Sequence, residues 1–381
     1  MFDFTSLKRL FNNCYPFVQK LYHNNTVFAN ISQGDTLKKM TYAKSGVNIE
    51  KEEDAIKGLL SSISSKRKGI GKPLGGHYAG MIEFGEYALV LCTDGVGSKV
   101  KIASELKKWD TVGIDCMAMN VNDAICVGAE PLAFVDYLAI DDPDPKVTKE
   151  IGKGLEEGAK QSNVSIIGGE TASLPDVING FDLAGTCLAY VKKNEIVTGE
   201  AIVPGDVIIG LGSSGIHSNG YTLARKVVEN NNLSYTDMFP DAFYPDKTIG
   251  EVLLTPTQIY VKEIVELLKK VKAHGLSHIT GGGLRNLPRL HKKVKFVIND
   301  PFKPQPIFQF IQKYGNIDDK EMYQTFNMGM GFAVIVSEKD VKETVKILTQ
   351  KQERDLVNYL NDIPTKYGIT LLNFLNSLEV K

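Results

Sequence analysis

The first 200 residues contain four apolar segments bounded by glycine- and aspartate-rich turns, and this pattern constrains the fold most. The segments are EYALVLCTDG (86–95), PLAFVDYLAI (131–140), VSIIGG (164–169) and FDLAGTCLAYV (181–191). Short apolar runs rich in β-branched and aromatic residues are typical of strands. Helical patterns lie before and between them, at 51–66, 111–128 and 146–161. An α+β fold is therefore predicted for this half.

A turn signal, IVPGDV at 202–207, begins a second half of the chain. Here a strand at 207–215 runs into a glycine turn, a helix is predicted at 256–272, and a further strand at 328–337. The chain is long enough for each half to have its own core. We predict an amino-terminal domain at 40–200 and a carboxy-terminal domain at 201–381.

The first 39 residues differ from the rest, because they are rich in Asn and aromatic residues and carry no sustained periodic pattern. From Met40 onward, the chain continues as an extended entry followed by a charged helix. We therefore predict that residues 1–39 are an extension outside the fold and that the functional chain begins at Met40.

Charge and cysteine content disfavour several classes of protein. The net charge is −1, and Lys and Arg are scattered rather than gathered into the basic stripe of a nucleic-acid binder. The five cysteines form no C-x-x-C pair, so a reducing cytoplasm is favoured over a disulfide framework. No apolar run has the length of a membrane span. We expect neither nucleic acid nor a membrane as a partner.

The turn after the segment at 86–95 combines the groups that a magnesium–phosphate site needs. Its sequence is Thr93-Asp94-Gly95-Val96-Gly97-Ser98-Lys99. A carboxylate offers hard oxygen ligands to Mg²⁺, glycines allow backbone N–H groups to approach a phosphate, and a Lys adds positive charge. The alternative is an Asp-stabilised turn with a solvated Lys. The P-loop motif is absent.

The predicted helix at 111–128 carries polar residues on an apolar background. Asp115, Met119 and Asn122 share one face at spacing i, i+4, i+7, with Asp123 beside them. Buried carboxylates need a cation or hydrogen-bond partners. We therefore predict that Asp123 and Asp94 together hold Mg²⁺ against a triphosphate.

Three further turns combine glycines with polar side chains. They are Gly168-Gly169-Glu170, Ser213-Ser214-Gly215-Ile216-His217-Ser218-Asn219-Gly220 and His278-Ile279-Thr280-Gly281-Gly282-Gly283. The first places a carboxylate at a strand end, where ligands commonly bind. The other two suit phosphate, which favours free backbone N–H groups. Because the second half has no ATP motif, these two turns predict a second phosphorylated substrate.

Seven segments carry a resemblance to a known family. They are TDGVGSK, GIDCMAMNVNDAICVGAEP, IIGGETA, LGSSGIHSNGYTLARK, TPTQIYVK, HITGGGLRN and EMYQTFNMGMG. In this order they resemble phosphoribosylformylglycinamidine cyclo-ligase, also called AIR synthetase, of the PurM-like superfamily. The resemblance implies a two-domain PurM-like fold, in which the amino-terminal domains of two chains pair into a β-barrel. The carboxy-terminal domain would be an α/β layer, and the protein a homodimer.

The resemblance also implies an activity. Family members use ATP with Mg²⁺ to phosphorylate the formyl oxygen of formylglycinamidine ribonucleotide. The amidine nitrogen then attacks the activated carbon, which gives aminoimidazole ribonucleotide, a step of purine biosynthesis. The alternative is another ATP-dependent enzyme of the superfamily, such as formylglycinamidine ribonucleotide synthase. A silent nucleotide-binding subunit is disfavoured, because the acids, the Lys and both carboxy-terminal turns are retained.

Roles for single residues follow from the resemblance. Asp94 and Asp123 match the metal-facing acids, and Lys99 matches a phosphate-side lysine. The residues expected to bind the nucleotide are Thr93, Asp94, Gly95, Gly97, Gly168, Gly169, Glu170, Gly281 and Gly282. The catalytic candidates are His217, Asn219, His278 and Lys99. Either histidine could act as general acid or base. The glycine loop at 69–80 reads GGHYAG where many relatives have a Phe-containing version, so its contacts stay open.

Overall fold

In the computed structural model of this chain, the structure describes residues 17–20, 40–43, 45–47, 49–65, 71–74 and 78–349. The strands are β1 (Phe17–Lys20), β2 (Pro73–Leu74), β3 (Gly80–Phe84), β4 (Tyr87–Gly95), β5 (Glu130–Ile140), β6 (Ser165–Ser173), β7 (Phe181–Lys192), β8 (Val207–Gly212), β9 (Gly275–His278) and β10 (Met330–Val336). The helices are α1 (Ile49–Ser61), α2 (Lys99–Leu106), α3 (Val112–Ile125), α4 (Pro145–Ser162), α5 (Tyr221–Asn230), α6 (Ile249–Leu253), α7 (Val261–Leu268), α8 (Pro306–Gly315), α9 (Asp319–Thr325) and α10 at 341–349. Within these ranges, no helix combines the length and the apolar character needed to cross a bilayer.

Six strands form the first sheet, in the order β2-β3-β4-β7-β5-β6. Neighbouring strands run antiparallel, except for the parallel pair β5 and β6. Helix α3 packs on one face of the sheet, here called the inner face, and α4 packs on α3. Buried and more exposed residues alternate along β4 and β7, as expected for strands that turn one face to a core. The four predicted strands of this half are thereby confirmed as members of one sheet.

The opposite side of this sheet, here called the outer face, exposes apolar side chains. Its residues between 37% and 56% exposed include Ile82, Phe84, Leu91, Leu132, Val135 and Tyr137. Monomeric proteins rarely leave a continuous apolar patch of this kind in water. Within the described chain, the apolar strands of this half are therefore covered on one face only.

The second sheet has the order β1-β8-β10-β9, with antiparallel neighbours throughout. Strand β10 is buried at every position, and β8 at all positions but its last. Alternate residues of β10 enter two different clusters: Phe332 and Val334 join the large core, whereas Ala333 and Ile335 join a smaller one with Leu287. Both faces of this sheet are covered, which is the arrangement of an α/β layer.

Residues 17–20 lie on the edge of the second sheet, where β1 pairs with β8 from Phe17↔Gly210 to Lys20↔Val207. The prediction that residues 1–39 lie outside the fold is wrong for these four residues. An edge strand exposes a row of unpaired N–H and C=O groups, so a short extended segment can add to it. The rest of residues 1–39 lie outside the described part, and for them the prediction stays a prediction.

Candidate active site

The polar face of α3 joins the two halves of the chain. Asp115 Oδ1 accepts hydrogen bonds from the backbone N of Thr257 at 2.8 Å and from its Oγ1 at 2.6 Å. Asn122 Oδ1 accepts from Tyr260 N at 3.0 Å, and the Asn122 amide donates to Gln258 O at 2.8 Å. Gln258 O, which a helix at 256–272 would use for its own hydrogen bonds, is bonded to Asn122, and the helix runs only over Val261–Leu268. The predicted polar face is real, but it binds the other half of the chain.

Lys99 lies in the same contact region between the two halves, here called the seam, and its side chain is 0% exposed. Its Nζ is 2.7 Å from Asp115 Oδ2, and it donates to the carbonyl oxygens of Thr255 at 2.7 Å and His217 at 3.2 Å. Burial lowers the pKa of Lys99, while the charge of Asp115 opposes that change. This placement contradicts the prediction of a phosphate-contacting lysine, because all three N–H groups are already engaged inside the protein.

Asp94 is the next-to-last residue of β4, and strand alternation with the buried Val90 and Cys92 places it on the inner face of the sheet. The group has access to solvent but protein surrounds it closely, and Asp94 Oδ1 accepts from Gly95 N at 2.7 Å. Burial raises the pKa of Asp94 to about 6. The hydrogen bond from Gly95 N opposes this rise, and the charge of Asp123 adds to it. Gly97 adopts a φ of +69°, a left-handed conformation that favours glycine. The turn at 93–99 therefore presents an accessible carboxylate that is costly to ionise.

Asp136 is a second acid on the inner face, and the sequence analysis did not single it out. Gly185 of β7 lies between the two acids, paired with Asp94 on one side and with Asp136 on the other. Burial raises the pKa of Asp136 as well. The available signal was an Asp in the middle of the apolar strand PLAFVDYLAI, where a carboxylate has no structural advantage.

The inner-face acids suit a magnesium ion that shares its ligands with phosphate and water. Among the residues the structure describes, no three His, Cys, Asp or Glu side chains are grouped as a metal site. Mg²⁺ does not require such a group, because it usually binds through one or two carboxylates plus water and phosphate oxygens. In the described ranges, Asp94 and Asp136 form no ion pair with Lys or Arg, so a cation would favour their ionised forms. Their donor chemistry fits Mg²⁺.

Asp123, the second acid predicted to hold Mg²⁺, contacts His278 of the second half. Asp123 Oδ1 lies 2.9 Å from His278 Nδ1, and the His278 side chain is 0% exposed. The imidazole stacks on Phe332 with ring centres 6.4 Å apart, and the His278 backbone N–H donates to Cys126 Sγ at 3.1 Å. His278 Nε2 is buried with no hydrogen-bond partner. This contact engages only Oδ1 of Asp123, so the prediction that Asp94 and Asp123 together hold Mg²⁺ stays a prediction.

His217 stabilises its own turn. It has a φ of +58° and is 1% exposed, and its Nε2 accepts from Ser214 N at 3.2 Å. Burial holds the pKa of His217 well below its usual range, and the charges of His278 and Lys99 add to this effect. Its Nδ1 is buried without a partner. His217 is therefore a neutral ring whose one acceptor nitrogen is already bonded.

The two glycine turns of the second half meet at Asn219. Asn219 Nδ2 lies 3.9 Å from Met119 Sδ of α3. A Cβ added at Gly281 would lie 3.0 Å from Asn219 Oδ1, so this glycine permits a close approach. Gly282 follows with a φ of +95°, another left-handed position. The structure thus brings together Gly281 and Asn219, two residues predicted for the site.

Two of the predicted nucleotide-binding residues lie on the other side of the sheet. The hydroxyl of Thr93 donates to Gly185 O at 2.9 Å, and strand alternation places Thr93 on the outer face. Glu170 is exposed and pairs in register with Tyr137, whose side chain also belongs to the outer face. Gly169, one residue earlier, faces inward, and a Cβ there would lie 2.4 Å from Asp136 Oδ1. Within one chain, Thr93 and Glu170 are therefore separated from Asp94 by the sheet.

Tyr78 is a further link between the halves that sequence reasoning missed. Its hydroxyl lies 2.6 Å from Ser277 Oγ, next to His278 in β9. Burial raises the pKa of Tyr78, and the charge of Cys126 is a smaller cause. The sequence signal was the Tyr in GGHYAG, which the prediction treated only as part of a flexible loop. Residues 75–77, which include His77, lie outside the described residues.

Two family descriptions match the chain. AIR synthase related protein, N-terminal domain, matches residues 76–191, and AIR synthase related protein, C-terminal domain, matches residues 203–357. The chain is 57% identical over 312 residues to phosphoribosylformylglycinamidine cyclo-ligase from Methanosarcina barkeri, which covers 81% of this chain and 92% of that relative. A protein of the same name from Methanocaldococcus jannaschii is 54% identical over 319 residues, with coverage of 81% and 88%.

Solved structures of lower identity share the fold. Thiamine monophosphate kinase from Aquifex aeolicus matches with a TM-score of 0.51 and 15% identity, covering 77% of this chain and 90% of that chain. Together with the two matched families, this likeness fits a two-domain PurM-like fold. At this identity it carries no statement about activity.

Proposed function

The chain belongs to the phosphoribosylformylglycinamidine cyclo-ligase family, and from this premise we propose its activity, metal, location and assembly. It is a ligase that converts formylglycinamidine ribonucleotide and ATP into aminoimidazole ribonucleotide, ADP and phosphate. The main support for this activity is the 57% identity to a relative named phosphoribosylformylglycinamidine cyclo-ligase, over 92% of the length of that relative. The seam supports it, because Asp123 of the first half contacts His278, which precedes a glycine turn of the second half, and the charge of His278 acts on Asp94.

The chemistry explains why such a site needs both halves. An amide oxygen leaves poorly until it is phosphorylated, so one region must position ATP against the formyl group. Ring closure is intramolecular and becomes fast once the substrate is held bent, with the amidine nitrogen close to the formyl carbon. In this proposal, Asp94 and its turn serve the phosphates, while Asn219, His278 and Gly281 face the ribonucleotide.

Magnesium is part of the proposal, with Asp94 as its main protein ligand. The accessible, raised-pKa carboxylate of Asp94 supports this assignment, and Asp136 faces the same side of the sheet. When bound, the ion would neutralise charge on the phosphates of ATP. Without a cation the acids would repel the phosphates, so their role in this proposal is to hold the ion at the turn.

The activity is tested by incubating the full chain with ATP, MgCl₂ and formylglycinamidine ribonucleotide. We expect one aminoimidazole ribonucleotide and one ADP per substrate consumed, measured by chromatography. ATP hydrolysis without the ribonucleotide should be slow by comparison. ADP release at an equal rate with and without substrate, and no cyclised product, would contradict the cyclo-ligase.

We locate this activity in the cytoplasm. Cys92, Cys116, Cys126 and Cys187 are buried free thiols, which fits a reducing compartment. Fractionation of cells that produce the full chain, with the enzyme activity followed in each fraction, tests this assignment.

We also propose that two chains pair through the outer face of the first sheet. The apolar side chains exposed there support a homodimer, because a second copy would remove them from water and cover both faces of the strands. Pairing would bring the partner's outer face next to Thr93 and Glu170. The expected nucleotide roles of these two residues would then depend on the dimer, since neither shares a face with Asp94 in its own chain.

Val135→Glu is expected to dissociate the homodimer and to lower the activity at least about tenfold, because a charge would be buried at the centre of the interface. Sedimentation velocity at micromolar concentration measures the mass. Val203→Glu is the matched control: Val203 is also exposed, at 51%, but lies in a turn of the second half. A Val135→Glu protein that keeps the wild-type mass and rate would show that another surface carries the assembly.

A further inference from the structure

Arg289 places a positive charge beside the glycine turn at 281–283. Its Nη2 lies 3.9 Å from the position that a Cβ on Gly282 would take, so the guanidinium lies next to this turn. Arg289 is exposed, and within the described part of the chain it forms no ion pair and no hydrogen bond. By contrast, Arg285 donates to Gly282 O at 3.4 Å and to Gln324 O at 3.1 Å. The donors of Arg289 are therefore available to a ligand.

The backbone of the same turn has further available donors. Among the residues that the structure describes, the N–H groups of Gly281 and Gly282 donate to none, whereas Gly283 N donates to Thr280 O at 3.0 Å. Guanidinium groups and backbone N–H groups are both common donors to phosphate oxygens in proteins. Arg289 and the turn therefore combine the donors that a phosphate site needs.

Two side chains place this turn at the seam. Asn219 Oδ1 lies 3.0 Å from the position of a Cβ on Gly281, and Asn219 Nδ2 lies 3.9 Å from a methionine sulfur of α3. Tyr78 joins the halves next to β9, and burial is the main cause of its raised pKa. Among the smaller causes, the charge of Asp123 adds to this rise and the charge of Arg289 opposes it. Arg289 therefore lies within electrostatic range of a hydroxyl that also senses an acid of the first half.

Two substrates of the proposed reaction carry phosphate, and they differ in what neutralises it. ATP is used with Mg²⁺, an ion that the acids Asp94 and Asp136 suit. A ribonucleotide 5′-phosphate brings no metal ion, so it needs cationic donors and is repelled by carboxylates. Arg289 offers such donors in the second half, and its planar guanidinium can donate to two phosphate oxygens at once. These charges favour the ribonucleotide over ATP as the ligand of the turn.

We propose that Arg289, together with the backbone of Gly281 and Gly282, binds the 5′-phosphate of the ribonucleotide substrate, an inference that rests on the cyclo-ligase activity proposed above. The phosphate is remote from the formyl group that reacts. The contact is therefore equally strong in the bound substrate and in the transition state, and it contributes to KM rather than to kcat. Arg289 is thereby a specificity-determining residue, which selects the ribonucleotide over the same compound without phosphate.

The test compares formylglycinamidine ribonucleotide with its riboside, which lacks the phosphate, on the full chain with magnesium–ATP. In Arg289→Met, the KM for the ribonucleotide should rise about 10- to 100-fold, because charge-assisted hydrogen bonds to the phosphate are lost. The kcat and the KM for ATP should stay near those of wild type. The KM for the riboside should be the same in both proteins, since it has no phosphate to lose. Arg289→Lys, which keeps the charge but not the paired donors, should recover part of the loss.

A binding measurement separates this site from the proposed activity. Without ATP, ribose 5-phosphate should raise the Tm of wild type but not that of Arg289→Met. Lys293→Met is the matched control, because Lys293 is an exposed cation of the same segment. It should keep the wild-type KM values and the rise in Tm.

Three results would overturn the site. They are a rise in the KM for ATP instead of the ribonucleotide, an equal loss with ribonucleotide and riboside, and an equal effect in Lys293→Met. If wild type forms no cyclised product while ribose 5-phosphate still stabilises only the chain with Arg289, the proposed function fails and the phosphate site stands.

Discussion

Asp94→Asn is expected to lower the rate of cyclisation about 100-fold or more while leaving the fold intact. The substitution keeps the shape of the side chain, but a neutral amide is a poor ligand for Mg²⁺ and cannot balance its charge. Among the described residues, the Asp94 carboxylate accepts one hydrogen bond, from the neighbouring Gly95 N–H, which an amide oxygen can still accept. The loss should therefore fall on metal and phosphate binding, and the KM for magnesium–ATP should rise.

The same variant should be at least as stable as wild type, and its advantage in the free energy of unfolding should grow as the pH rises. The pKa of Asp94 is raised from its ordinary 3.8 to about 6 in the folded chain, so the folded state binds the proton more tightly than the unfolded state. Wild type therefore loses stability as the pH rises from about 4 to about 6, and the variant does not. In the absence of Mg²⁺, the stability advantage of the variant should be complete above about pH 6 and absent below about pH 4.

Thermal melts with and without magnesium–ATP check both parts. Ligand that binds only the folded state raises the Tm of wild type, and this rise should shrink in Asp94→Asn. Asp142→Asn is the control, because Asp142 is an exposed acid just beyond β5. A variant that is destabilised, or that keeps the wild-type rise in Tm with magnesium–ATP, would remove Asp94 from the metal site.

The strands and their turns could be predicted from the sequence because their signals are local. The apolar runs at 86–95, 131–140 and 181–191 became β4, β5 and β7, and the polar face of α3 was visible as helical spacing. The spacing also showed that Asp115 and Asn122 would be buried together. What they bind depends on residues about 140 positions away, at Thr257 and Tyr260, which no local pattern identifies.

The sequence also did not show on which side of the sheet each residue of a motif lies. Thr93 and Asp94 are neighbours in one motif, yet strand alternation places them on opposite faces. The sequence analysis treated the motif as one unit and therefore assigned Thr93 and Asp94 to one site. In the structure, Asp94 lies on the inner face of the sheet and Thr93 on the outer face. Asp136 was missed for the opposite reason, since it joins Asp94 only through the register of β7 between them. Such groupings follow from strand order, which the sequence alone did not predict.

Lys99→Met is expected to destabilise the protein by about 3–5 kcal/mol, because it leaves the buried carboxylate of Asp115 without a cation. Both side chains of the pair are 0% exposed, so water cannot take the place of the lysine. The substitution also removes the donor from the carbonyl oxygens of Thr255 and His217, which hold the two halves together at the seam. Urea unfolding of the full chain should show a large fall in the midpoint.

A second substitution distinguishes the charge from the packing. In Lys99→Met combined with Asp115→Asn, the uncompensated charge is gone, while the amide oxygen can still accept from Thr257 N. The double variant should therefore be more stable than Lys99→Met alone, which marks the two side chains as coupled. Lys101→Met is the control for the helix itself. Lys101 is exposed on α2, two residues away, and its loss should change the stability by less than about 0.5 kcal/mol.

The same variants decide between the two roles considered for Lys99. A lysine that contacts phosphate would leave unfolding unchanged when replaced and would raise the KM for ATP. A lysine that neutralises Asp115 should lower stability first, and wherever enough folded protein remains, the KM for ATP should stay near that of wild type. Because Nζ already donates to three protein groups, we expect the second result. Wild-type stability in Lys99→Met together with a weakened ATP interaction would return Lys99 to the phosphate site.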